Sequence, residues 1–288
     1  MPNVEEQVSL AKYSTLGVGG KTDFLVTASN VTDLVAALVW ARSSKIPFVI
    51  IGGGSNVLIS DEGFRGLVII NRAGKFKIDG MKVTADSGAN FVKLATETIG
   101  LGLAGLHFGM GIPGSIGGAI AGNAGALGWD IARTLKTVRV WSDGEVKTYS
   151  NADLDFGYRA SRIKGKNEIV ILSAEFELTP GNKDEMEKLI LDDCQRRAQS
   201  YLGRTCGSYF KNPEGGKTAG ELIDKLGLKG YRMGGAEISP LHGNVIRNTD
   251  HATANDILEL EKFITSEVKE EYNIDLVPEV VKIGIFSA

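Results

Sequence analysis

The chain has 288 residues, of which 43% are hydrophobic and 23% charged, a composition typical of a globular protein large enough for two or three packed units. A formal net charge of −3, without any basic run, argues against a nucleic-acid partner. The two cysteines, Cys194 and Cys206, fit a reducing compartment, and neither they nor the three histidines have metal-ligand spacing. With no signal-peptide pattern and no apolar run of membrane-spanning length, we expect a cytoplasmic protein with no metal and no membrane partner.

The first elements along the chain predict a small α/β unit. Asn30 or Thr32 is expected to cap a helix, because apolar residues from Val31 to Val39 recur at the spacing of one helix face. Apolar runs at 48–51 and 67–70 then predict two buried strands. The strand at 48–51 ends on a glycine triplet, at the place where ligands bind in open α/β sheets.

The segment Gly52-Gly53-Gly54-Ser55-Asn56, here called the glycine turn, is the first candidate ligand site. Three consecutive glycines can adopt backbone angles closed to other residues, so their N–H groups can converge on one anion such as a diphosphate. The side chains of Ser55 and Asn56 add short hydrogen-bonding groups. The alternative is a tight turn between two buried strands, for which glycine triplets are also common.

The chain from about residue 75 to residue 182 predicts a second unit of α+β type. Its expected elements are a strand at 81–85, a helix at 90–99, a hairpin of strands 137–141 and 145–149 around Asp143-Gly144, and a strand at 168–178.

A second glycine-rich stretch, residues 105–128, lies inside this unit. Its segment Gly109–Gly114 formally satisfies the G-x-G-x-x-G pattern, but Pro113 and the missing strand–helix context exclude a Rossmann site. Ser115 to Ala121 predicts a short helix of small residues whose N-terminus could face an anion. The alternative is close backbone packing in a core, which needs the same small residues. Two such stretches favour an extended dinucleotide cofactor.

The remaining chain predicts a third unit reached through a charged amphipathic helix at 184–199. A helix at 218–226 and a short strand at 244–247 follow, and Thr253 with Asp256 resembles a capping box that opens a helix to about Tyr272. The tail, 276–286, is expected to be a strand that carries Glu279 back toward the body of the protein.

The chain resembles the UDP-N-acetylenolpyruvoylglucosamine reductases over nearly its whole length. The segments that carry the resemblance occur in family order: YSTLGVGG (13–20), GGGSNVLISDEGFRG (52–66), GIPGSIGG (111–118), GNAG (122–125), FGYRAS (156–161), GSYFKNP (207–213) and LVPEV (276–280). Arg159 precedes Ser208 by 49 positions, a short separation that resembles the compact subtype without an inserted tyrosine-bearing loop. Residues 202–206 are an unusual lead-in to Ser208.

The resemblance implies an α+β fold: a two-subdomain FAD-binding fold of the vanillyl-alcohol-oxidase/PCMH type plus a C-terminal α+β substrate domain. The implied division is 1–74, 75–195 and 196–288. It implies non-covalent FAD, NADPH as co-substrate, and reduction of UDP-N-acetylglucosamine enolpyruvate to UDP-N-acetylmuramate by a monomer in peptidoglycan precursor synthesis. The alternatives are another FAD-dependent oxidase of the same flavin fold and a non-catalytic nucleotide-binding module.

Three residues are implied to carry the chemistry. Arg159 would bind and polarise the substrate carboxylate, although most loop arginines lie on the surface. Ser208 would donate the proton, with Gly207 permitting close approach and Lys211 near enough in sequence to supply positive charge, although turn serines are common. Glu279, in an otherwise apolar segment, would act with the arginine; its alternative is an edge-strand glutamate facing water.

The remaining candidates are binding residues. Those implied for the cofactor are Gly52, Gly53, Gly54, Ser55, Asn56, Gly111, Ser115, Gly117, Gly118 and Asn123. Those implied for the substrate are Tyr158, Lys211, Asn212, Asn244 and one of Arg196 and Arg197, by their fit to a diphosphate and a uracil. Among the histidines, only His107 lies close enough to a glycine-rich stretch for the covalent flavin attachment that such oxidases often have.

Overall fold

The computed structural model describes residues 3–286, without the side chains of Arg196, Ala198 and Gln199. The described chain forms two compact units, and each combines separate segments of the sequence. The first unit contains the described residues of 1–6, 24–53 and 66–195, and the second contains those of 7–23, 54–65 and 196–288. The division into 1–74, 75–195 and 196–288 is a partition into continuous ranges and stays a prediction.

The helices are α1 (Val31–Ser43), α2 (Phe91–Gly100), α3 (Ile116–Ala121), α4 (Lys183–Ser200), α5 (Ala219–Lys225) and α6 (Ala254–Tyr272). The strands of the first half are β1 (Val4–Ser9), β2 (Lys21–Ala28), β3 (Phe48–Ile51), β4 (Val57–Ile59), β5 (Phe64–Asn71), β6 (Phe76–Asp79), β7 (Lys82–Asp86), β8 (Leu103–Ala104), β9 (Gly125–Ala126) and β10 (Trp129–Asp130). Those of the second half are β11 (Leu135–Ser142), β12 (Glu145–Ser150), β13 (Ile169–Glu177), β14 (Thr179–Pro180), β15 (Arg204–Ser208), β16 (Arg232–Met233), β17 (Ala236–Ile238), β18 (Val245–Asn248) and β19 (Val281–Ile283).

The predicted α/β arrangement is present in the first unit. Strands β3 and β5 run parallel, with Phe48 opposite Leu67 and Ile51 opposite Ile70. The side chain of Asn30 caps α1 by accepting a hydrogen bond from the Asp33 amide at 2.9 Å. The apolar face of α1 is buried in the same core as alternate residues of β5. The glycine turn therefore begins at the carboxyl end of a strand, as predicted; this strand is parallel to β5, and only its Ile51 is fully buried.

The first unit also contains a five-stranded antiparallel sheet in the order β12-β11-β13-β7-β6. The predicted hairpin joins β11 to β12, with Ser142 opposite Glu145. Helix α2, capped by Asn90 as the sequence indicated, shares a core with this sheet through Phe91 and Leu94. The edge strand β6 was not predicted, because its alternation is confined to two half-buried residues.

The second unit has a four-stranded antiparallel sheet in the order β15-β18-β17-β16. Helix α6 begins at the predicted capping box of Thr253 and Asp256 and packs its apolar residues into the core of this unit. The prediction of one continuous strand at 276–286 was wrong: only β19 is a strand, paired parallel with β4, and Pro278 forms an isolated bridge to Phe210. Proline has no amide hydrogen to donate, so the ladder does not extend through it.

In the part of the chain that the structure describes, no helix combines the length and apolar character needed to cross a bilayer.

Candidate active site

The glycine turn has a tightly constrained backbone. Gly54 has φ of +70°, and a Cβ built on it would overlap the carbonyl oxygen of Tyr13. The carbonyl of Gly54 accepts a hydrogen bond from the Thr15 amide at 3.0 Å, which fixes the direction of the turn. Among residues 3–286, no acceptor is found for the amides of Gly53, Gly54 and Asn56. Three amides without protein acceptors in one turn are available to donate to an anionic group such as a cofactor diphosphate.

The first residues of this turn lie against the second glycine-rich stretch. A Cβ on Gly52 would overlap the Ser115 hydroxyl, and one on Gly53 would lie 2.8 Å from the Gly114 Cα. Both contacts are within the first unit. These two glycines therefore allow a close approach to Gly114 and Ser115, and close packing is the alternative that the sequence left open for the second glycine-rich stretch.

The N-terminal amides of α3 are already bound by protein groups. The amide of Ile116 donates to the Ala89 carbonyl at 2.9 Å, and that of Gly117 donates to the Ser87 carbonyl at 2.7 Å. The amide of Gly118 donates to the Ser115 hydroxyl at 3.4 Å. The expectation that this N-terminus faces an anion was wrong for these three donors. The roles of Gly111, Ser115, Gly117 and Gly118 in cofactor binding stay predictions.

Arg159 is held by the second glycine-rich stretch and is not a free surface arginine. Its Nη2 donates to the Gly125 carbonyl at 2.6 Å and its Nη1 to the Asn123 carbonyl at 3.4 Å. The guanidinium carbon lies 5.3 Å from the centre of the exposed Tyr158 ring. Arg159 has φ of +52°, a conformation that costs a non-glycine residue on the order of 1 kcal/mol and is often found at functional sites. The guanidinium orientation is therefore fixed by main-chain carbonyls.

Asn123, a predicted cofactor residue, has a structural task. Its side-chain amide donates to the Gly157 carbonyl at 3.0 Å, and its side-chain oxygen accepts from the Ala132 amide at 3.1 Å. These bonds join the segment that carries Arg159 to the second glycine-rich stretch. A direct contact of Asn123 with a cofactor stays a prediction.

His107, the candidate for covalent flavin attachment, is a core residue. It is 3% exposed, its Nδ1 accepts from the Gly105 amide at 3.2 Å, and its ring packs edge-on against Trp129 with centroids 5.0 Å apart. Burial lowers the pKa of His107 below its ordinary value. The imidazole is therefore neutral near pH 7 and enclosed by aromatic rings, an environment that gives a flavin no access to it.

The lowered pKa of His107 predicts a pH-dependent stability. The folded protein holds this imidazole neutral, whereas the unfolded chain binds a proton on it below about pH 6.5. Lowering the pH below this value therefore favours unfolding, and the free energy of unfolding falls by at most about 1.4 kcal/mol per pH unit. Its contribution is thus present above that pH and is lost as the pH falls. Urea unfolding between about pH 7.5 and 5.5 should show a shallower pH dependence in His107→Phe than in the wild type. Replacing the exposed His251 with Gln serves as the control; equal slopes in wild type and His107→Phe would contradict the assignment.

Ser208 lies at the end of β15, in the second unit, where the pairing with β18 is irregular. The register shifts between Thr205 and Ser208, and the intervening Gly207 has φ of +80°, a conformation suited to glycine. This bulge presents the Ser208 side chain beside Tyr201, whose Oη lies 3.1 Å from Ser208 Oγ. The sequence pointed to Lys211 as the neighbour of this hydroxyl; among the described residues the hydrogen-bond partner is Tyr201.

The backbone of Glu279 is hydrogen-bonded to Tyr209, the residue that follows Ser208. The Glu279 amide donates to the Tyr209 carbonyl at 2.8 Å, and the Asn56 side chain donates to the Glu279 carbonyl at 3.3 Å. Burial, with a further contribution from the negative charge of Glu279, raises the pKa of Cys206 to about 12. The Glu279 carboxylate thus lies near the buried Cys206 thiol, and Glu279, Ser208 and the side chain of Asn56 belong to neighbouring segments of the second unit.

The predicted substrate residues of the second unit have clear structural roles. The buried carboxamide of Asn244 both accepts from the Phe210 amide and donates to its carbonyl, each at 2.8 Å, in the manner of a paired strand. Asn212 accepts from the Ala219 amide at 3.1 Å at the start of α5, and the Lys211 amide donates to the Val277 carbonyl at 2.9 Å. Their contacts with a substrate stay predictions. The side chain of Arg196 lies outside the described residues.

The structure reveals a buried polar network that the sequence analysis missed. Glu261 of α6 accepts from the Tyr209 hydroxyl at 2.7 Å and forms an ion pair with Lys282 of β19 at 2.8 Å. Burial, followed by the charge and hydrogen bond of Glu261, raises the pKa of Tyr209. The network joins the residue after Ser208 to the strand after Glu279. A glutamate on the apolar face of α6, next to Leu260 and one turn before Ile264, is the signal that would have identified it.

The geometry thus provides two sets of fixed groups, one in each unit. The first unit holds a guanidinium oriented by main-chain carbonyls, and the second holds a serine–tyrosine hydroxyl pair and a glutamate on neighbouring segments. The described residues contain no group of three His, Cys, Asp or Glu side chains that could hold a metal ion.

Two family models match the chain. Residues 197–283 match the C-terminal domain of UDP-N-acetylenolpyruvoylglucosamine reductase, and residues 22–150 match a FAD binding domain. The chain is 39% identical over 282 residues to UDP-N-acetylenolpyruvoylglucosamine reductase 1 of Bacillus cereus, with 96% of this chain and 93% of the relative covered. It is 41% identical over 288 residues to the UDP-N-acetylenolpyruvoylglucosamine reductase of Lactobacillus acidophilus, with 98% and 95% covered.

The similarity extends to a solved structure. The UDP-N-acetylenolpyruvylglucosamine reductase of Thermus caldophilus has a TM-score of 0.83 and 35% identity, with 98% of this chain and all of that chain covered. Together with the FAD binding domain match, it confirms the predicted fold class, an α+β FAD-binding fold followed by a C-terminal α+β domain.

Proposed function

Because this chain belongs to the UDP-N-acetylenolpyruvoylglucosamine reductase family, we propose that it reduces UDP-N-acetylglucosamine enolpyruvate to UDP-N-acetylmuramate with NADPH, a step of peptidoglycan precursor synthesis. The observation that carries the proposal is the similarity over essentially the full length of both this chain and the Thermus caldophilus enzyme. This similarity also covers the second unit. A FAD-dependent oxidase that shared only the flavin fold would have no reason to resemble this unit. We further propose that the enzyme acts as a cytoplasmic monomer.

FAD fits the backbone groups available at the glycine turn. The amides of Gly53, Gly54 and Asn56 would hold its diphosphate, because an anion can satisfy several converging donors without a side chain between them. When bound, FAD relays a hydride from the nicotinamide to the substrate alkene. The enclosure of His107 in the aromatic core supports non-covalent binding and disfavours the oxidase alternative.

Arg159 would bind the carboxylate of the enolpyruvyl group. Hydride addition places negative charge on the carbon next to this carboxylate, and a guanidinium beside it stabilises the developing charge. Two bonds to main-chain carbonyls hold the Arg159 guanidinium in advance, so little reorganisation is needed when the charge forms. Tyr158, which lies against the same guanidinium, is a candidate for contact with the sugar.

Ser208 would donate the proton that completes the reduction. Its Oγ–H bond breaks as a C–H bond forms at the substrate carbon, and the electron pair stays on Oγ. The bulge at Gly207 gives the hydroxyl its position, and the hydrogen bonds from Tyr209 to the Asn244 carbonyl and from Glu279 to the Tyr209 carbonyl hold that segment on both sides. Glu279 would act with Arg159 at the carboxyl end of the substrate, and Lys211, Asn212 and Asn244 remain candidates for the UDP part.

Two measurements on the purified protein test the proposal. Acid precipitation should release FAD into the supernatant, and NADPH should be consumed only when the enolpyruvyl substrate is added, at the same rate with and without oxygen. A control without substrate measures NADPH oxidase activity. Oxygen-dependent consumption, or flavin that stays with the precipitate, would favour the oxidase alternative.

A further inference from the structure

We propose that Tyr201 is a positioning residue for the reduction and re-supplies the proton that Ser208 gives to the substrate. The inference rests on the proposed function, in which Ser208 is the proton donor. Its basis is the 3.1 Å separation between Tyr201 Oη and Ser208 Oγ, within the second unit. Both side chains are half-buried, so neither hydroxyl is fully solvated.

The Tyr201 hydroxyl compensates for the weak acidity of the Ser208 hydroxyl. When Ser208 gives up its proton, the alkoxide left behind must be stabilised or neutralised at once. A phenol is a stronger acid than an aliphatic alcohol, so proton transfer from Tyr201 Oη to Ser208 Oγ is downhill once the alkoxide begins to form. The Ser208 O–H bond is restored as the Tyr201 O–H bond breaks. The electron pair then remains on the Tyr201 oxygen, which takes its next proton from water.

The surroundings of Tyr201 suit a ring that carries negative charge for a short time. The guanidinium carbon of Arg197 lies 6.0 Å from the centre of the Tyr201 ring. The His242 ring lies 6.0 Å away on a tilted plane, and His242 is itself fixed because its Nδ1 accepts from the Asn244 amide at 3.1 Å. A nearby guanidinium stabilises a phenolate, and the imidazole limits the orientations of the phenol.

The backbone also fixes the positions of Tyr201 and Ser208 relative to each other. The Tyr201 amide donates to the Arg197 carbonyl at 2.8 Å and so extends the last turn of α4. The chain then returns through β15 and its bulge to Ser208, so the two hydroxyls meet across a turn of the same segment. The two residues flank the unusual lead-in segment 202–206, and Tyr201 lies outside the GSYFKNP segment that carries the resemblance.

The test compares Tyr201→Phe with the wild type in the two half-reactions, followed separately by stopped-flow absorbance of the flavin. Phenylalanine keeps the ring and removes only the hydroxyl. Reduction by NADPH should be unchanged, whereas reoxidation by the enolpyruvyl substrate should slow by about 10- to 100-fold. Tyr231→Phe is the matched control, because it removes a phenol of the same unit whose ring stacks on Phe263, and both half-reactions should keep wild-type rates.

Two further measurements distinguish a Tyr201 that supplies a proton to Ser208 from a Tyr201 that only holds Ser208 in place. Reoxidation rates measured in H₂O–D₂O mixtures should depend on the deuterium fraction non-linearly in the wild type, where two protons move, and linearly in Tyr201→Phe. In addition, the double variant Tyr201→Phe/Ser208→Ala should reoxidise no more slowly than Ser208→Ala alone, because Tyr201 acts through Ser208.

The outcomes distinguish this inference from the proposed function. Wild-type reoxidation in Tyr201→Phe, a linear dependence in the wild type, or multiplicative losses in the double variant would overturn the role of Tyr201 and leave Ser208 as the donor. If Ser208→Ala itself reoxidises at the wild-type rate, the donor assignment in the proposed function fails, and the role of Tyr201 fails with it.

Discussion

Replacing Ser208 with Ala is expected to slow reoxidation of the flavin by the enolpyruvyl substrate by about 10²- to 10⁴-fold and to leave its reduction by NADPH unchanged. The reduction needs no proton from Ser208, whereas addition across the alkene cannot finish without one. The structural change is small, since the Ser208 side chain is half-buried and its hydrogen-bond partner among the described residues is the Tyr201 hydroxyl. Anaerobic stopped-flow absorbance, started once with NADPH and once with substrate, measures the two steps separately.

Two variants make the Ser208 result specific. Ser266 lies exposed on α6 in the same unit, so Ser266→Ala should match the wild type in both half-reactions. Ser208→Cys places an ionisable hydrogen at nearly the same position and should recover part of the lost rate. Unchanged reoxidation in Ser208→Ala, or equal losses in both half-reactions, would show that Ser208 is not the proton donor.

Local sequence signals were sufficient to predict the six α-helices that the structure describes, but fewer than half of its strands. The start of α1 at Asn30 follows from one short side chain that accepts a hydrogen bond from an amide three residues ahead, and the start of α6 at Thr253 follows from a reciprocal pair of such bonds. Strands β3 and β5 were predictable because their paired residues, 48–51 and 67–70, are all apolar, as is typical of parallel strands. These features depend on residues within one turn of helix or one strand.

The parts that the sequence did not predict depend on contacts between distant residues. The amides at the start of α3 looked available for an anion, but Ser87 and Ala89, nearly 30 positions earlier, accept from two of them. Asn244 suited uracil by its chemistry, yet it pairs with the Phe210 backbone, 34 positions away. The neighbour of Ser208 is Tyr201, because the path between α4 and β15 decides which hydroxyl meets it. Residue type alone cannot predict such partners.

Gly54→Ala is expected to lower the free energy of unfolding by about 2–5 kcal/mol and to yield protein with little bound FAD. Two costs combine: a non-glycine residue at φ of +70° is strained, and the added methyl group would overlap the Tyr13 carbonyl oxygen, which belongs to the backbone and cannot rotate away. Any relief must move the turn itself. Because the amides of Gly53, Gly54 and Asn56 are the proposed diphosphate donors, the same movement should remove the cofactor. Urea unfolding and the ratio of flavin to protein absorbance measure the two effects.

Two glycines of the first unit, Gly80 and Gly100, distinguish the conformational cost from the cost of the overlap. Gly80 has φ of +57° but no atom within 4 Å of a built Cβ, so Gly80→Ala should show only the conformational cost, about 1–2 kcal/mol, and keep its flavin. Gly100, at the end of α2, has neither a positive φ nor a neighbour within 4 Å, so Gly100→Ala should be neutral or stabilise by up to about 1 kcal/mol. Because only Gly54→Ala adds an overlap with the backbone, it alone should lose the flavin. Full flavin content in a folded Gly54→Ala protein would mean that the conformation of this turn is not what holds the diphosphate.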